Sequence, residues 1–164
     1  MTILNSDSFE FISHGAEQTR RLGMRLGALL TVGSLVCLQG DLGSGKTTFV
    51  QGVSVGWGSL DQVSSPTFQL VNEYRRADST KLFHLDSYRL SSVMEAEELD
   101  IDSMLTVGCI LLEWPEMMAE LLPAHRLWIK FNYVDESLRE LFFIPTGPSY
   151  IKQLETFRKQ IMGN

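Results

Sequence analysis

The sequence predicts an α/β protein built on a mainly parallel β-sheet flanked by helices. Helical and strand-like segments alternate along the chain, a glycine-rich loop joins one apolar strand to a helix, and two further apolar segments each end in a carboxylate. Alternating helices and buried strands are typical of parallel sheets. Since the chain has 164 residues, we expect one domain that spans residues 1–164.

The first two thirds of the chain contain most of the predicted elements. Apolar residues recur at helical spacing between residues 13 and 31. Glycines bound the apolar run 34–39, which indicates a buried strand, and residues 46–58 suit a helix. Ser92 and Glu95 have the spacing of a capping box at the start of a short helix. That helix is predicted at 92–99, and further strands at 66–75, 81–86 and 108–113.

The last third of the chain predicts a hairpin and a closing helix. Two apolar runs, 126–134 and 138–145, lie on either side of Asp-Glu-Ser, which favours a late antiparallel hairpin. From Pro148 onward the apolar residues fall on one face of a helix.

Composition and charge exclude several classes of protein. The net charge of −6 argues against a protein that binds nucleic acid through a broad basic face, although a local basic patch is compatible with it. Cys37 and Cys109 lie in apolar runs without a Cys-x-x-Cys pair, so buried reduced thiols are expected. No signal peptide or membrane-spanning run is evident, and we expect a cytoplasmic protein with no membrane partner.

The loop at residues 40–47 has the pattern of a phosphate-binding P-loop. Gly40 is followed after four residues by Gly45, Lys46 and Thr47. Glycines let backbone N–H groups approach phosphate oxygens, and the following helix directs the positive end of its dipole at them. Lys46 would supply a positive charge and Thr47 a hydroxyl ligand for Mg²⁺. The pattern predicts a P-loop NTPase fold; the alternative is a glycine-rich turn with no ligand.

Two carboxylates are candidates to complete this site. Asp86 ends the apolar strand 81–86 and Glu113 ends the strand 108–113. Because ligands collect at the carboxyl ends of parallel strands, both are expected beside the loop, near Mg²⁺. The alternatives are a turn cap for Asp86 and a simple surface acid for Glu113.

Three further residues are ambiguous. Thr67, in the segment Ser-Ser-Pro-Thr-Phe, either contacts a γ-phosphate or the attacking water, or starts a strand. His84 shares the strand face of Asp86, and a structural role is favoured for it. Trp114 is either an interface anchor or a core aromatic.

Four motifs together resemble one family. Gly-Asp-Leu-Gly-Ser-Gly-Lys-Thr-Thr-Phe, Ser-Pro-Thr-Phe, His-Leu-Asp-Ser-Tyr-Arg-Leu and Leu-Leu-Glu-Trp-Pro-Glu occur in this order. They resemble the TsaE family, also called YjeE, which comprises small bacterial P-loop ATPases of the tRNA threonylcarbamoyladenosine pathway. The resemblance covers residues 13–145.

This resemblance implies a function. Such proteins hydrolyse ATP with Mg²⁺ and act with TsaB and TsaD, which modify the adenosine beside the anticodon of tRNAs that read ANN codons; contact with tRNA is expected to be indirect. The resemblance makes Thr47 and Glu113 ligands of magnesium, Asp86 the essential acid of hydrolysis and Thr67 a switch-like residue. It places the following residues around the nucleotide: Ser13, Thr19, Asp41, Leu42, Gly43, Ser44, Gly45, Lys46, Thr47, Thr48 and Arg139.

Two other classes of protein that contain a P-loop are alternatives. A small-molecule kinase would need an arginine-rich lid, whereas the stretch after Leu90 is acidic. A non-catalytic interaction module or GTP switch is the second alternative, and the absence of an Asn-Lys-x-Asp motif weakens its GTP version.

Overall fold

One seven-stranded sheet is formed in the computed structural model, which describes residues 7–63, 70–90 and 92–163 except for the side chains of Arg89 and Val93. The strands are β1 (Phe9–Ser13), β2 (Leu35–Gln39), β3 (Val71–Arg75), β4 (Lys81–Asp86), β5 (Gly108–Glu113), β6 (Arg126–Tyr133) and β7 (Arg139–Thr146). Their order across the sheet is β1-β7-β6-β2-β5-β4-β3. The central strands β6, β2, β5 and β4 are parallel, while β7, β1 and β3 pair antiparallel with their neighbours. The predicted α/β class with a late hairpin is confirmed.

Helices cover both faces of the sheet. They are α1 (Ala16–Gly27), α2 (Lys46–Trp57), α3 (Val93–Glu97), α4 (Ile101–Val107) and α5 (Pro148–Met162). Because side chains alternate along a strand, Val36 and Leu38 of β2 join the apolar cluster shared with α1, α2 and α5, whereas Leu35 and Cys37 join the cluster on the side of α3 and α4. Strand β2 is therefore apolar on both faces.

The predicted limits of the helices and strands were right for two central strands and less accurate elsewhere in the chain. Strands β4 and β5 have the predicted limits, and the Oγ of Ser92 accepts the N–H of Glu95 at 3.2 Å as the predicted cap of α3. The prediction that the first helix continues to residue 31 was wrong. It ends at Gly27, because the next N–H groups, of Leu29 and Leu30, bond to the carbonyls three residues before them and tighten the turn. Strand β1 and helix α4 were not predicted.

The two cysteines are buried and free, as expected. Burial raises the pKa of the Cys37 and Cys109 thiols to about 12. Within the described ranges, none of the helices is both long enough and apolar enough to span a bilayer.

Helices α1 and α2 approach each other through glycines. A Cβ built on Gly27 would lie 2.1 Å from the carbonyl oxygen of Val53, and one built on Gly56 would lie 1.9 Å from that of Met24. Neither distance is compatible with a real side chain. These glycines therefore allow the backbones to touch, and this contact holds α2 in place behind the glycine-rich loop.

The substitution Gly56→Ala should destabilise the protein. Alanine favours a helix by about 1 kcal/mol over glycine, but its methyl group would meet a backbone oxygen that cannot rotate away. We expect a net loss of about 2 kcal/mol, which lowers Tm by about 4–8 °C. Val55→Ala, at an exposed position of the same helix, is the control, with an expected change below about 0.5 kcal/mol. Equal thermal melts of the two variants would contradict close packing at Gly56.

Candidate functional site

Three central strands direct predicted site residues to one edge of the sheet. Strand β2 leads into the glycine-rich loop, β4 ends at Asp86 and β5 ends at Glu113. The register aligns Glu113 with Asp86 on one side and with Leu38 on the other. The structure therefore brings the loop and both predicted carboxylates together.

The backbone of the loop requires its glycines. Gly43 and Gly45 have φ angles of 81° and 107°, in the region that disfavours other residues. A Cβ on Gly40 would lie 2.7 Å from Ser44 Oγ and 2.8 Å from the carbonyl oxygen of Phe131. Gly45 is the N-cap of α2 and has no side chain to bond the first N–H groups of that helix. N–H groups at the start of a helix are suited to bind an anion.

Ser44 adds an unsatisfied polar atom to this cradle. The residue is only 1 % exposed, and its Oγ has no hydrogen-bond partner among the described residues. Its N–H donates to the carbonyl of Asp41 at 3.1 Å, while Asp41 and Leu42 are exposed at the rim. Because buried hydroxyls are normally paired, the free Oγ fits a site that receives ligand oxygens.

Lys46 lies between a carboxylate and an aromatic ring. Its Nζ is 3.9 Å from Glu113 Oε1 and 4.3 Å from the ring centroid of Trp114, and the side chain is only 6 % exposed. Burial lowers the pKa of Lys46, and the charges of four nearby carboxylates oppose that shift: Glu113, Asp86, Glu116 and Asp41. One ammonium thus faces an excess of negative charge.

Glu113 is held by a histidine. Its Oε2 accepts a hydrogen bond from His84 Nε2 at 2.7 Å, and both side chains are largely buried. Burial by itself would raise the pKa of Glu113, but the hydrogen bond and charge of His84 and the ammonium of Lys46 together lower it. The group is therefore an ionised carboxylate near neutral pH.

Trp114 has an unusual backbone conformation. Its φ and ψ of 57° and 48° are left-handed, which is rare for a bulky residue. The buried hydroxyl of Ser87 donates to the carbonyls of Glu113, at 2.9 Å, and of Trp114, and so holds this turn. Trp114 is not a core aromatic: it is half-buried and covers Lys46.

The oxygen ligands at this edge suit a magnesium ion shared with a phosphate. Among the described residues, no group of three or more His, Cys, Asp or Glu side chains is placed to hold a metal alone. Mg²⁺ is usually held by one or two carboxylates together with substrate phosphates. Glu113 and Asp86 are adjacent here, the hydroxyl-bearing Thr47 is exposed at the start of α2, and the excess negative charge favours a cation.

A second group of predicted residues supports the loop from the side of β1. A Cβ on Gly45 would lie 3.8 Å from Cγ of Arg139 and 3.9 Å from Cγ2 of Thr19. Ser13 pairs with Arg139 in the sheet, and its Oγ is 2.6 Å from the Oγ1 of Thr19, with both hydroxyls buried. The guanidinium of Arg139 lies over the ring of Tyr133. The structure places this group beside the loop, and its place around a nucleotide stays a prediction.

The other predicted site residues have different outcomes. Thr48 is half-buried in the first turn of α2. Thr67 and its Ser-Pro-Thr-Phe segment lie outside the described residues. The contact of His84 with Glu113 and the packing of Trp114 on Lys46 were not predicted. The first depends on the register of β4 and β5, and the second on a left-handed turn after β5; a single sequence reveals neither.

Comparisons with known proteins show one family. The profile of the family described as "Threonylcarbamoyl adenosine biosynthesis protein TsaE" matches residues 13–141. The chain is similar to three proteins named "tRNA threonylcarbamoyladenosine biosynthesis protein TsaE". The one from Streptomyces coelicolor is 42 % identical over 69 % of this chain and 78 % of its own length. Those from Synechocystis and Bacillus subtilis are 39 % and 36 % identical over 72 % and 82 % of this chain, and over 77 % and 84 % of their own lengths.

A solved structure shows the same fold. The crystal structure of YdiB from Bacillus subtilis superposes with a TM-score of 0.78 and 27 % sequence identity. The match covers 98 % of this chain and 99 % of that one.

Proposed function

Because this chain belongs to the threonylcarbamoyl adenosine biosynthesis protein TsaE family, we propose that it is a Mg²⁺-dependent ATPase of tRNA threonylcarbamoyladenosine biosynthesis. It acts with TsaB and TsaD in the cytoplasm on the adenosine beside the anticodon of tRNAs that read ANN codons. The observation that carries the proposal is the glycine loop: its unpartnered Ser44 Oγ and the start of α2 lie at the same sheet edge as Lys46 and Glu113.

The chain's own groups account for nucleotide binding. The first N–H groups of α2, the Ser44 hydroxyl and the Lys46 ammonium present positive or donor groups to phosphate oxygens. Thr47 and Glu113 are the residues that would hold Mg²⁺, which neutralises phosphate charge when bound. Arg139 and Thr19 lie beside Gly45, and Ser13 contacts Thr19 through its hydroxyl; these three residues are proposed to lie around the nucleotide.

Asp86 is the residue proposed to act on water. It is adjacent to Glu113 at the end of β4, and one of its oxygens accepts the N–H of Tyr88 at 3.1 Å. That hydrogen bond fixes the carboxylate at the edge, where it can accept a hydrogen from the attacking water. Thr67 is proposed, from the resemblance alone, to act as a switch-like residue that senses the γ-phosphate.

Hydrolysis by the isolated chain should be slow. Arg75 and Arg76, at the end of β3, form ion pairs with other residues. Arg75 pairs with Asp61 and Arg76 with Asp78, both at 2.8 Å. A mobile arginine that stabilises the transferring phosphoryl group is worth about 10³–10⁵ in rate. We propose that the partner proteins supply or position such a group.

Steady-state ATP turnover, measured for the chain alone and with TsaB and TsaD, tests this proposal. We expect stimulation of at least about tenfold by the partners, as part of the effect of a supplied arginine, and tRNA modification only when all components are present. Equal, fast rates with and without the partners would refute partner activation.

Two further assays separate the alternatives. Titration with ATP, ADP and GTP should show a preference for adenine nucleotides, which a GTP switch would reverse. Phosphate transfer that appears only with an added small-molecule acceptor would indicate a kinase instead.

A further inference from the structure

The geometry points to His84 as the residue that positions the Glu113 carboxylate for the metal. This inference rests on the proposed nucleotide and magnesium site, and it adds a positioning residue to it. His84 does not touch the substrate; it acts through Glu113.

The two oxygens of Glu113 face different partners. Oε2 accepts the hydrogen bond from His84 Nε2 at 2.7 Å, while Oε1 lies 3.9 Å from the ammonium of Lys46. The bond to His84 therefore leaves Oε1 directed at the loop. Without it, the carboxylate would be free to rotate and form a closer ion pair with Lys46, and both groups would be withdrawn from a ligand.

Strand β4 and the turn after it contact Glu113 at two points, its side chain and its backbone carbonyl. His84 lies opposite Leu111 in the register, two positions before the pairing of Asp86 with Glu113, so its ring is on the face of β5 that carries Glu113. Ser87, in the turn after β4, binds the Glu113 carbonyl at 2.9 Å. Side chain and backbone of the proposed metal ligand are thus both fixed by the same segment.

Apart from the bond to Glu113, the contacts of the His84 ring give no reason for a histidine rather than an apolar residue at this position. Its Nδ1 is buried and has no hydrogen-bond partner within the described ranges. The ring lies 6.3 Å from that of Tyr74. A buried unpartnered nitrogen costs free energy that an apolar side chain at this position would avoid. The bond to Glu113 is what distinguishes histidine from leucine here.

Two amide variants isolate the hydrogen bond. Gln can place its Nε2 near the position of His84 Nε2, whereas Asn is one methylene too short. Magnesium chloride is titrated calorimetrically into protein saturated with ADP, and ADP is titrated separately in EDTA. We expect His84→Asn to weaken the Mg²⁺ affinity by about 10- to 100-fold, as for other residues that orient metal ligands. His84→Gln should stay close to wild type, and ADP affinity in EDTA should be unchanged in both variants.

A double-mutant cycle with Glu113→Gln tests whether His84 affects Mg²⁺ affinity through Glu113. In the Glu113→Gln background, His84→Asn should weaken Mg²⁺ binding no further. Wild-type Mg²⁺ affinity in His84→Asn, equal losses in both amide variants, or an additive loss in the double variant would each overturn the inference. If the wild-type protein itself bound no ADP and Mg²⁺, the proposed function would fail, which is a distinct result.

A spectroscopic measurement needs no variant. Long-range ¹H–¹⁵N NMR of histidine-labelled wild-type protein should show a hydrogen on Nε2 of His84, because that nitrogen donates to a carboxylate. A ring that carries its hydrogen on Nδ1 alone would overturn the inference whether or not His84→Asn folds.

Discussion

Replacement of Lys46 by Met should weaken ATP binding by about 10- to 100-fold, the loss expected when a hydrogen bond to a charged group is removed. Methionine retains most of the buried stem of a side chain that is only 6 % exposed, so the fold should be preserved. Hydrolysis should fall by a further factor of about 10²–10³, because the ammonium also stabilises charge that develops on the transferring phosphoryl group.

Calorimetric titration with ATP and a phosphate-release assay measure the two effects of Lys46→Met. Lys152→Ala removes a lysine from an exposed position of α5 and is the control, with no expected change in either measurement. Binding by Lys46→Met at the wild-type affinity would mean that the ammonium does not contact the nucleotide.

The substitution Asp86→Asn should separate binding from catalysis. Asparagine keeps an oxygen to accept the N–H of Tyr88, so the turn after β4 should remain in place. ATP affinity should not fall, since the change removes one of the carboxylates around Lys46. The turnover number should fall by about 10²–10⁴, the range for loss of a group that accepts a proton in the transition state.

Single-turnover hydrolysis with saturating ATP and Mg²⁺ is the direct measurement for Asp86→Asn. Asp100→Asn is a matched control, because Asp100 also caps a helical turn, by accepting the N–H of Ser103, and is exposed. Undiminished hydrolysis in Asp86→Asn would remove Asp86 from the mechanism, and a loss explained by weaker ATP binding would make it a binding residue.

The centre of the fold was predictable because its signals are local. The glycine pattern before Lys46, the apolar runs of β4 and β5 and the cap at Ser92 each lie within a few residues of chain. Strand β1 was missed because its partner β7 is more than a hundred residues away. Helix α4 is only seven residues long, and its N-cap, Asp100, follows directly after the helix predicted at 92–99, so its start signal was not recognised as a separate one.

In the candidate site, the residues that local sequence patterns mark were predictable, and the contacts between them were not. Asp86 and Glu113 were expected together because the carboxyl ends of parallel strands share an edge. The contact of His84 with Glu113 depends on the alignment of β4 with β5, and the position of Trp114 depends on a left-handed turn held by Ser87. Both are tertiary features, and nothing in the adjacent sequence specifies them.

Calorimetric titration of the wild-type protein with a non-hydrolysable ATP analogue, with and without Mg²⁺, tests the central claim most directly. If the loop between Gly40 and Thr47 binds a triphosphate, the titration should give saturable heat at one site per chain, stronger binding with Mg²⁺, and loss of that heat in Lys46→Met. An absence of heat with wild-type protein under both conditions would contradict the account.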